Sequence, residues 1–268
     1  MRPPFARAAH VVASLAVAAL LALAAAACKT TGDDTTGSIG ATTAPHSEAE
    51  WRSALGPLGA RYHANPGDAE AAMAYAKALR ATEQRAQAVA VLQQASIRNP
   101  HNMKLLGAYG RALADAGEYN EAIDALERAH TPDNPDWRIL NAQGAVLDQM
   151  GRHAEAQRHY AAALKIAPDE PSVLSNLGLS YLLEKNLKRA EMTLRKAAAQ
   201  PNASPKVRQN LALVVGLEGR FAEAEKIASA DLPEAEAAAN VAYLRQMLAQ
   251  HSGRNGSEAP YVAPDPGT

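Results

Sequence analysis

The chain repeats itself every 34 residues. Five consecutive units begin at Ala69, Met103, Trp137, Pro171 and Pro205, with no insertion or deletion between them. A fold built on such a sequence must solve one packing problem five times over. The eighth position of each unit holds Ala76, Gly110, Gly144, Gly178 and Ala212, and the twentieth holds Ala88, Ala122, Ala156, Ala190 and Ala224. Small residues at two fixed points are what an antiparallel helix pair needs where its backbones cross.

Alanine is abundant in this chain, so a single small column carries little weight, but other columns keep the same register. Position eleven carries Leu79, Leu113, Leu147, Tyr181 and Val215; position twenty-four carries Leu92, Leu126, Tyr160, Leu194 and Ala228. These side chains give each hairpin a face to bury against the next. Gly117, Gly151 and Gly219 supply a left-handed residue to end the first helix, while Pro100 and Pro168 close the second. Scarce Phe, Trp and β-branched residues argue against a sheet. The period and columns are those of tetratricopeptide repeats. They predict an all-α, right-handed α-solenoid over 48–250, with repeats at 69–102, 103–136, 137–170, 171–204 and 205–238. An N-terminal half-repeat over Glu48–Asn65, with Ala54 and Leu58 in second-helix slots, precedes them. A capping helix over Glu234–Gln250, with Val241, Leu244 and Leu248 at helical spacing, closes the array.

The amino terminus reads as an address. Arg2 and Arg7 precede an apolar run, Val11–Ala27, without an acidic residue. As a helix this run spans roughly 26 Å, short of a hydrocarbon core of about 30 Å, so a cleaved signal is preferred to a retained anchor. Cys28, the only cysteine, follows Ala25, Ala26 and Ala27. It resembles the modified residue of a bacterial lipobox, with ordinary cleavage after A-x-A as the alternative. One cysteine excludes a disulfide within the chain. Lys29 stands where lipoproteins kept at the inner membrane usually carry Asp, so the resemblance implies lipid anchoring at the periplasmic face of the outer membrane. Residues 29–47, with Ile39 the one large apolar side chain, are expected to form a disordered tether of about 25 Å root-mean-square reach. The Pro/Gly/Ser-rich stretch 251–268 is expected to be a disordered tail.

No constellation in the sequence carries catalysis, a cofactor or a metal. The histidines are scattered, with no H-E-x-x-H or C-x-x-C, and no phosphate-binding or nucleophile-elbow glycine motif is present. His153 takes a slot held by Tyr119 and Phe221 in other repeats and reads as a packing residue. Glu121, Glu155 and Glu223 recur just before the crossing alanine, as solvated residues at a helix start. A net charge of −1, without a basic block, disfavours nucleic acid. A protein-binding role, with neither enzymatic activity nor a small-molecule substrate, is what remains.

Helical periodicity places first-helix positions two, five, six, nine, twelve and thirteen on one stripe, the candidate partner groove. Its first two repeats offer Lys77, Arg80, Lys104 and Arg111, opposed by Glu70 and Asp115. Repeats four and five offer Leu179, Leu182, Leu183, Leu213 and Leu217, with Asn141, Asn176 and Asn210 between and beside them. Asparagines both donate and accept, and so could pair with the backbone of a bound segment. The alternative is that the leucines pack beneath the Glu234–Gln250 helix and the basic residues are merely solvated.

Beyond the generic repeat, the stretches Asp136–Leu183 and Asn210–Leu248, above all the closing segment with Leu232, Pro233 and Val241–Leu244, resemble the TadD family. These are the tetratricopeptide lipoproteins of the Tad (tight adherence, Flp pilus) systems. The resemblance covers about Ala69 to Gln250. It implies an accessory role in Flp pilus biogenesis, with a secretin or another pilus-assembly component as partner and pilotin-like support of secretin assembly as the task. A general periplasmic lipoprotein scaffold of envelope assembly is the alternative.

Overall fold

The computed structural model describes residues 47–256 and divides into two compact units, meeting at Ala167 and Pro168. In the first unit α1 (Glu48–Ala64) precedes three hairpins: α2 (Ala69–Ala81) with α3 (Arg85–Arg98), α4 (Met103–Ala116) with α5 (Tyr119–Glu127), and α6 (Trp137–Gln149) with α7 (His153–Ile166). The second unit holds α8 (Pro171–Leu183) with α9 (Leu187–Ala198), α10 (Pro205–Leu217) with α11 (Phe221–Ala228), and the closing α12 (Glu234–Gly256). Among the described residues there is no strand, only an isolated bridge between Thr131 and Asn134. Within each unit consecutive helices pack on one another and first helices of adjacent repeats touch, which is solenoid stacking. The proposed leader, Cys28, the tether up to residue 46 and the tail beyond 256 lie outside the described residues.

Helix starts are set by a column that the repeat pattern alone did not flag. The last position of each unit is the N-cap of the next first helix. Asp68 accepts from the Glu70 and Ala71 amides, Asn102 from Leu105, Asp136 from Arg138 and Glu170 from Ser172. These side chains satisfy amide donors that a first turn leaves orphaned, each cap contributing about 1 kcal/mol. Pro171 and Pro205 then sit at the first helical positions, where their missing N–H costs nothing.

Position fifteen ends every first helix in a left-handed residue. Gly117, Gly151 and Gly219 have φ of 83°, 74° and 83°, and Glu83 and Lys185 take φ of 61° and 62° at the same place. The backbone geometry of the hairpin is therefore kept even where glycine is not. Left-handed backbone costs a side-chain-bearing residue about 1–2 kcal/mol, and glycine returns part of this through its freer unfolded chain. Glu83→Gly and Lys185→Gly should each raise stability by about 0.5–1 kcal/mol. A denaturant midpoint that stays put or falls would refute this.

The core follows the predicted columns. Leu79, Leu113, Leu147, Tyr181 and Val215 are buried, as are Leu92, Leu126, Tyr160, Leu194 and Ala228 and all five alanines at position twenty. The position-eight glycines answer to position twenty-four. A Cβ on Gly110 would lie 2.6 Å from Leu126 Cγ, on Gly144 2.5 Å from Tyr160 Cε1, and on Gly178 2.6 Å from Leu194 Cγ. In repeat five the pairing is small on both sides, Ala212 with Ala228, and α12 supplies the missing volume through Ala237.

Two boundaries and one pair of slots differ from expectation, and one second helix is short. Ser47 belongs to α1 and not to the tether: its hydroxyl accepts from the Glu50 amide while Glu50 accepts from the Ser47 amide, a closed capping box. In α1 the buried residues are Gly59 and Tyr62, and Ala54 and Leu58 are only half-buried. Gly59 lets the Tyr75 ring approach, and the Tyr62 hydroxyl donates to Gln94 Oε1 at 2.8 Å. The second helix of repeat two stops at Glu127, since Pro132 and Pro135 in the following loop cannot donate to a continued ladder. Finally, α12 runs on to Gly256, six residues into the stretch expected to be a disordered tail, because no proline interrupts it before Pro260.

Candidate partner-binding faces

The first unit presents the basic part of the stripe. Lys77 on α2 is held with its ammonium 5.5 Å from the centre of the Trp51 ring on α1, a cation–π contact. Arg80 Nε donates to Asp115 Oδ2 at 2.5 Å, tying α2 to α4 across this face. Lys104 is exposed, and Arg111 is half-buried and engaged within the molecule. Arg80 and Asp115 therefore share a face of α2 and α4, and Asp115 neutralises Arg80. Half-buried alanines occupy other stripe positions on these first helices: Ala74, Ala81, Ala108, Ala114, Ala142 and Ala145.

The second unit presents the leucines, with one exception. Leu182 is buried, 6% exposed, within the cluster of Leu194 on α9 and Val214 and Val215 on α10, and is not a groove residue. Leu179, Leu213 and Leu217 are partly buried against the same cluster, which includes Val241 of α12. Leu183 is half-buried. The closing helix thus takes up part of this apolar surface, and Gly216 is pressed so closely that a Cβ there would lie 2.5 Å from Leu244 Cδ2.

The asparagines already have partners within the molecule. Asn210 Nδ2 donates to Ser175 Oγ at 3.0 Å, tying α10 to α8, and Asn141 and Asn176 are also engaged. The Asn210 bond is structural cross-bracing between successive first helices. Two of the three recurring carboxylates are ion-paired at the surface: Glu155 binds Arg152 through both oxygens at 2.6 and 2.8 Å, and Glu223 binds Arg195 and Arg220. Bonds from Arg152 hold the Glu155 carboxyl below the usual range, as bonds from Arg195 and Arg220 do for Glu223. Pairs this exposed stabilise little. Position twenty-seven holds Ala95, Ala129, Ala163 and Ala197 in the first four repeats and Asp231 in the fifth, where Arg208 Nε and Nη2 reach its two oxygens at 2.6 and 2.5 Å.

Repeat three carries a polar core. Asp148 is buried, accepting from the Tyr160 hydroxyl at 2.9 Å through one oxygen and lying 2.8 Å from His153 Nδ1 through the other. His153 is therefore a hydrogen-bonding residue and not simply an apolar packer. Nearby, His159 Nδ1 lies 3.1 Å from Gln143 Oε1, and Gln143 is buried. Burial, then Arg158 and His130, hold the His159 imidazole below its usual range, against the pull of Glu155 and Glu127. The unfolded chain then binds the proton more tightly than the folded one, so this contribution is fully present above the ordinary value of 6.5 and is lost as pH falls below it. His159→Gln should flatten the decline in melting temperature over roughly pH 7 to 5. An unchanged pH profile would refute the assignment. Among the described residues no group of three or more His, Cys, Asp or Glu is placed to hold a metal, and no helix is long and apolar enough to cross a membrane.

The Tetratricopeptide repeat family model matches residues 113–178, and that for Anaphase-promoting complex, cyclosome, subunit 3 matches residues 51–129. The fold is that of tetratricopeptide repeats. Solved tetratricopeptide folds agree over much of the chain. PilW, described as a widely conserved type IV pilus biogenesis factor, superposes with a TM-score of 0.62 at 17% identity, covering 72% of this chain and 91% of its own. PilF of Pseudomonas aeruginosa gives 0.50 at 20% identity, covering 68% and 81%. The anaphase-promoting complex hetero-tetramer Cut9–Hcn1 gives 0.60 at 14% identity, covering 76% of this chain and 40% of that one. No curated protein matches the chain by sequence. At these identities the likenesses carry the fold and not the task.

Proposed function

We propose that this tetratricopeptide-repeat chain is a non-enzymatic, lipid-anchored scaffold at the periplasmic face of the bacterial outer membrane, binding a protein component of Tad/Flp pilus biogenesis. Its task is pilotin-like support of secretin assembly. The observation that carries the reading is the combination of a lone cysteine at the junction of an apolar run and a polar stretch with a repeat domain whose groove stripe is occupied by small, basic and apolar side chains. Tetratricopeptide arrays act by holding partners along such surfaces. The closing segment Leu232–Leu244, which resembles TadD, supports the choice of system. A solved neighbour named as a type IV pilus biogenesis factor shows that this fold serves such an assembly elsewhere.

The test is a deletion strain complemented with wild type or with Cys28→Ala. Loss of surface pili together with secretin multimers, while pilin synthesis persists, is the expected result. Cys28→Ala should leave the protein soluble or as uncleaved precursor and fail to complement. Normal secretin multimers in a strain without pili would move the role to another stage of assembly. Equal outer-membrane recovery of Cys28→Ala and wild type would remove the lipid anchor from the reading.

A further inference from the structure

The two units differ in what their first helices offer. Across α2, α4 and α6 the stripe is floored by small residues, Ala74, Ala81, Ala108, Ala114, Ala142 and Ala145, each only half-buried. Its charges are unequal: Lys77, Arg80, Lys104, Arg111 and Arg138 stand against Glu70 and Asp115, with Arg138 stacked on its neighbour Trp137 and 4.0 Å from Asp136. Arg80 and Asp115 cancel each other, leaving the lysines on α2 and α4 with one exposed carboxylate, Glu70. The third acid of the stripe, Asp148, is buried and already bound to Tyr160 and His153. Lys77 is oriented by the Trp51 ring. A floor of methyl groups admits a chain whose backbone comes close, and walls of one sign select the opposite sign on that chain.

We propose that this face of the first unit holds an acidic segment of the partner protein, with carboxylates drawn to Lys77 and Lys104 and the segment's main chain lying against the alanine floor. The inference rests on the reading of the chain as a protein-binding scaffold and specifies the chemistry of what it binds. The leucine-bearing face of the second unit, partly packed with α12, carries a single stripe charge, Lys206 on α10.

Trp51 provides the reporter. The chain contains two tryptophans, Trp51 and Trp137, so a Trp137→Phe full-length chain reports on Trp51 emission alone. The probe is a capped peptide of about twenty residues made of Glu and Ala, with a Gln-for-Glu peptide and an oligothymidylate of similar charge as controls. The Glu peptide should give a saturable Trp51 change whose affinity falls by about tenfold between roughly 50 and 300 mM salt. Lys77→Glu plus Lys104→Glu should weaken it by about tenfold or more, while Arg98→Glu plus Lys165→Glu, on second helices of the same unit, should leave it within about twofold. Circular dichroism confirms that each variant is folded. The proposal is overturned if the Glu peptide gives no saturable signal, if the Lys77/Lys104 variant binds it like wild type, or if the oligothymidylate or Gln peptide binds equally well. Its failure is separable from failure of the scaffold reading: secretin captured by a chain that ignores the acidic peptide would retain the scaffold and discard this face.

Discussion

Gly144→Ala should destabilise the first unit by about 1–3 kcal/mol, more than Gly110→Ala or Gly178→Ala. On an exposed helix the same change would stabilise by up to about 1 kcal/mol, because alanine loses less backbone freedom than glycine. The contact geometry reverses the sign. The new methyl would lie 2.5 Å from Tyr160 Cε1 and 2.8 Å from both Cδ1 and Cζ, well inside van der Waals separation. What sets Gly144 apart is whether the neighbour can yield. At Gly178 the opposing atoms belong to Leu194, and at Gly110 the two closest belong to Leu126, with the Ala122 carbonyl oxygen farther off at 3.1 Å; both leucines are aliphatic side chains with other rotamers available. At Gly144 they belong to an aromatic ring that is 1% exposed and whose hydroxyl is bonded to buried Asp148. Moving the ring breaks that bond, and leaving it in place keeps the overlap. Urea unfolding of the three single variants measures the order. Equal losses at all three positions would mean that the Tyr160 anchor does not hold the ring.

The repeat made most of this fold legible, because columns in register encode contacts that recur. Residues such as Ala88, Leu113 and Leu194 went to the core as their columns required. What the columns hid were the exceptions that compensate one another in three dimensions. Glu83 and Lys185 occupy a glycine position without being glycine, since hairpin geometry dictates a conformation and only favours a residue. Leu182 lies on the groove stripe by helical phase yet is buried, because phase alone cannot tell which edge of a stripe a neighbouring helix covers. Asn210 looked available to a ligand and instead braces Ser175 of the preceding first helix, 35 residues away. A one-repeat offset of this kind is invisible in a single unit. Trp51 was outside the aligned repeats altogether, although its place on the half-repeat set it beside Lys77. One signal was available and unused: in repeat three alone, positions twelve, seventeen and twenty-four hold Asp148, His153 and Tyr160, and three polar departures in one unit point to one another.

That cluster yields the other large effect. Asp148→Ala should cost about 2–4 kcal/mol, chiefly because the Tyr160 hydroxyl, pushed far above its usual ionisation range by burial and by Asp148 itself, would be left without an acceptor. His153 would lose less, since its side chain is 24% exposed and can turn to water. The argument predicts its own rescue. Repeat two has Ala114 and Leu126 at the positions of Asp148 and Tyr160, and both the glycine crossing and the core are retained there. The double variant Asp148→Ala plus Tyr160→Leu therefore imports a pair already proven in the neighbouring hairpin and removes the stranded hydroxyl together with its acceptor. It should be more stable than Asp148→Ala alone, with a coupling energy of about 1–2 kcal/mol between the positions. A double-mutant cycle in urea reads this directly. Additive losses would show that the hydroxyl finds another partner when Asp148 is gone and that the polar core of repeat three is a set of separate bonds, not a unit.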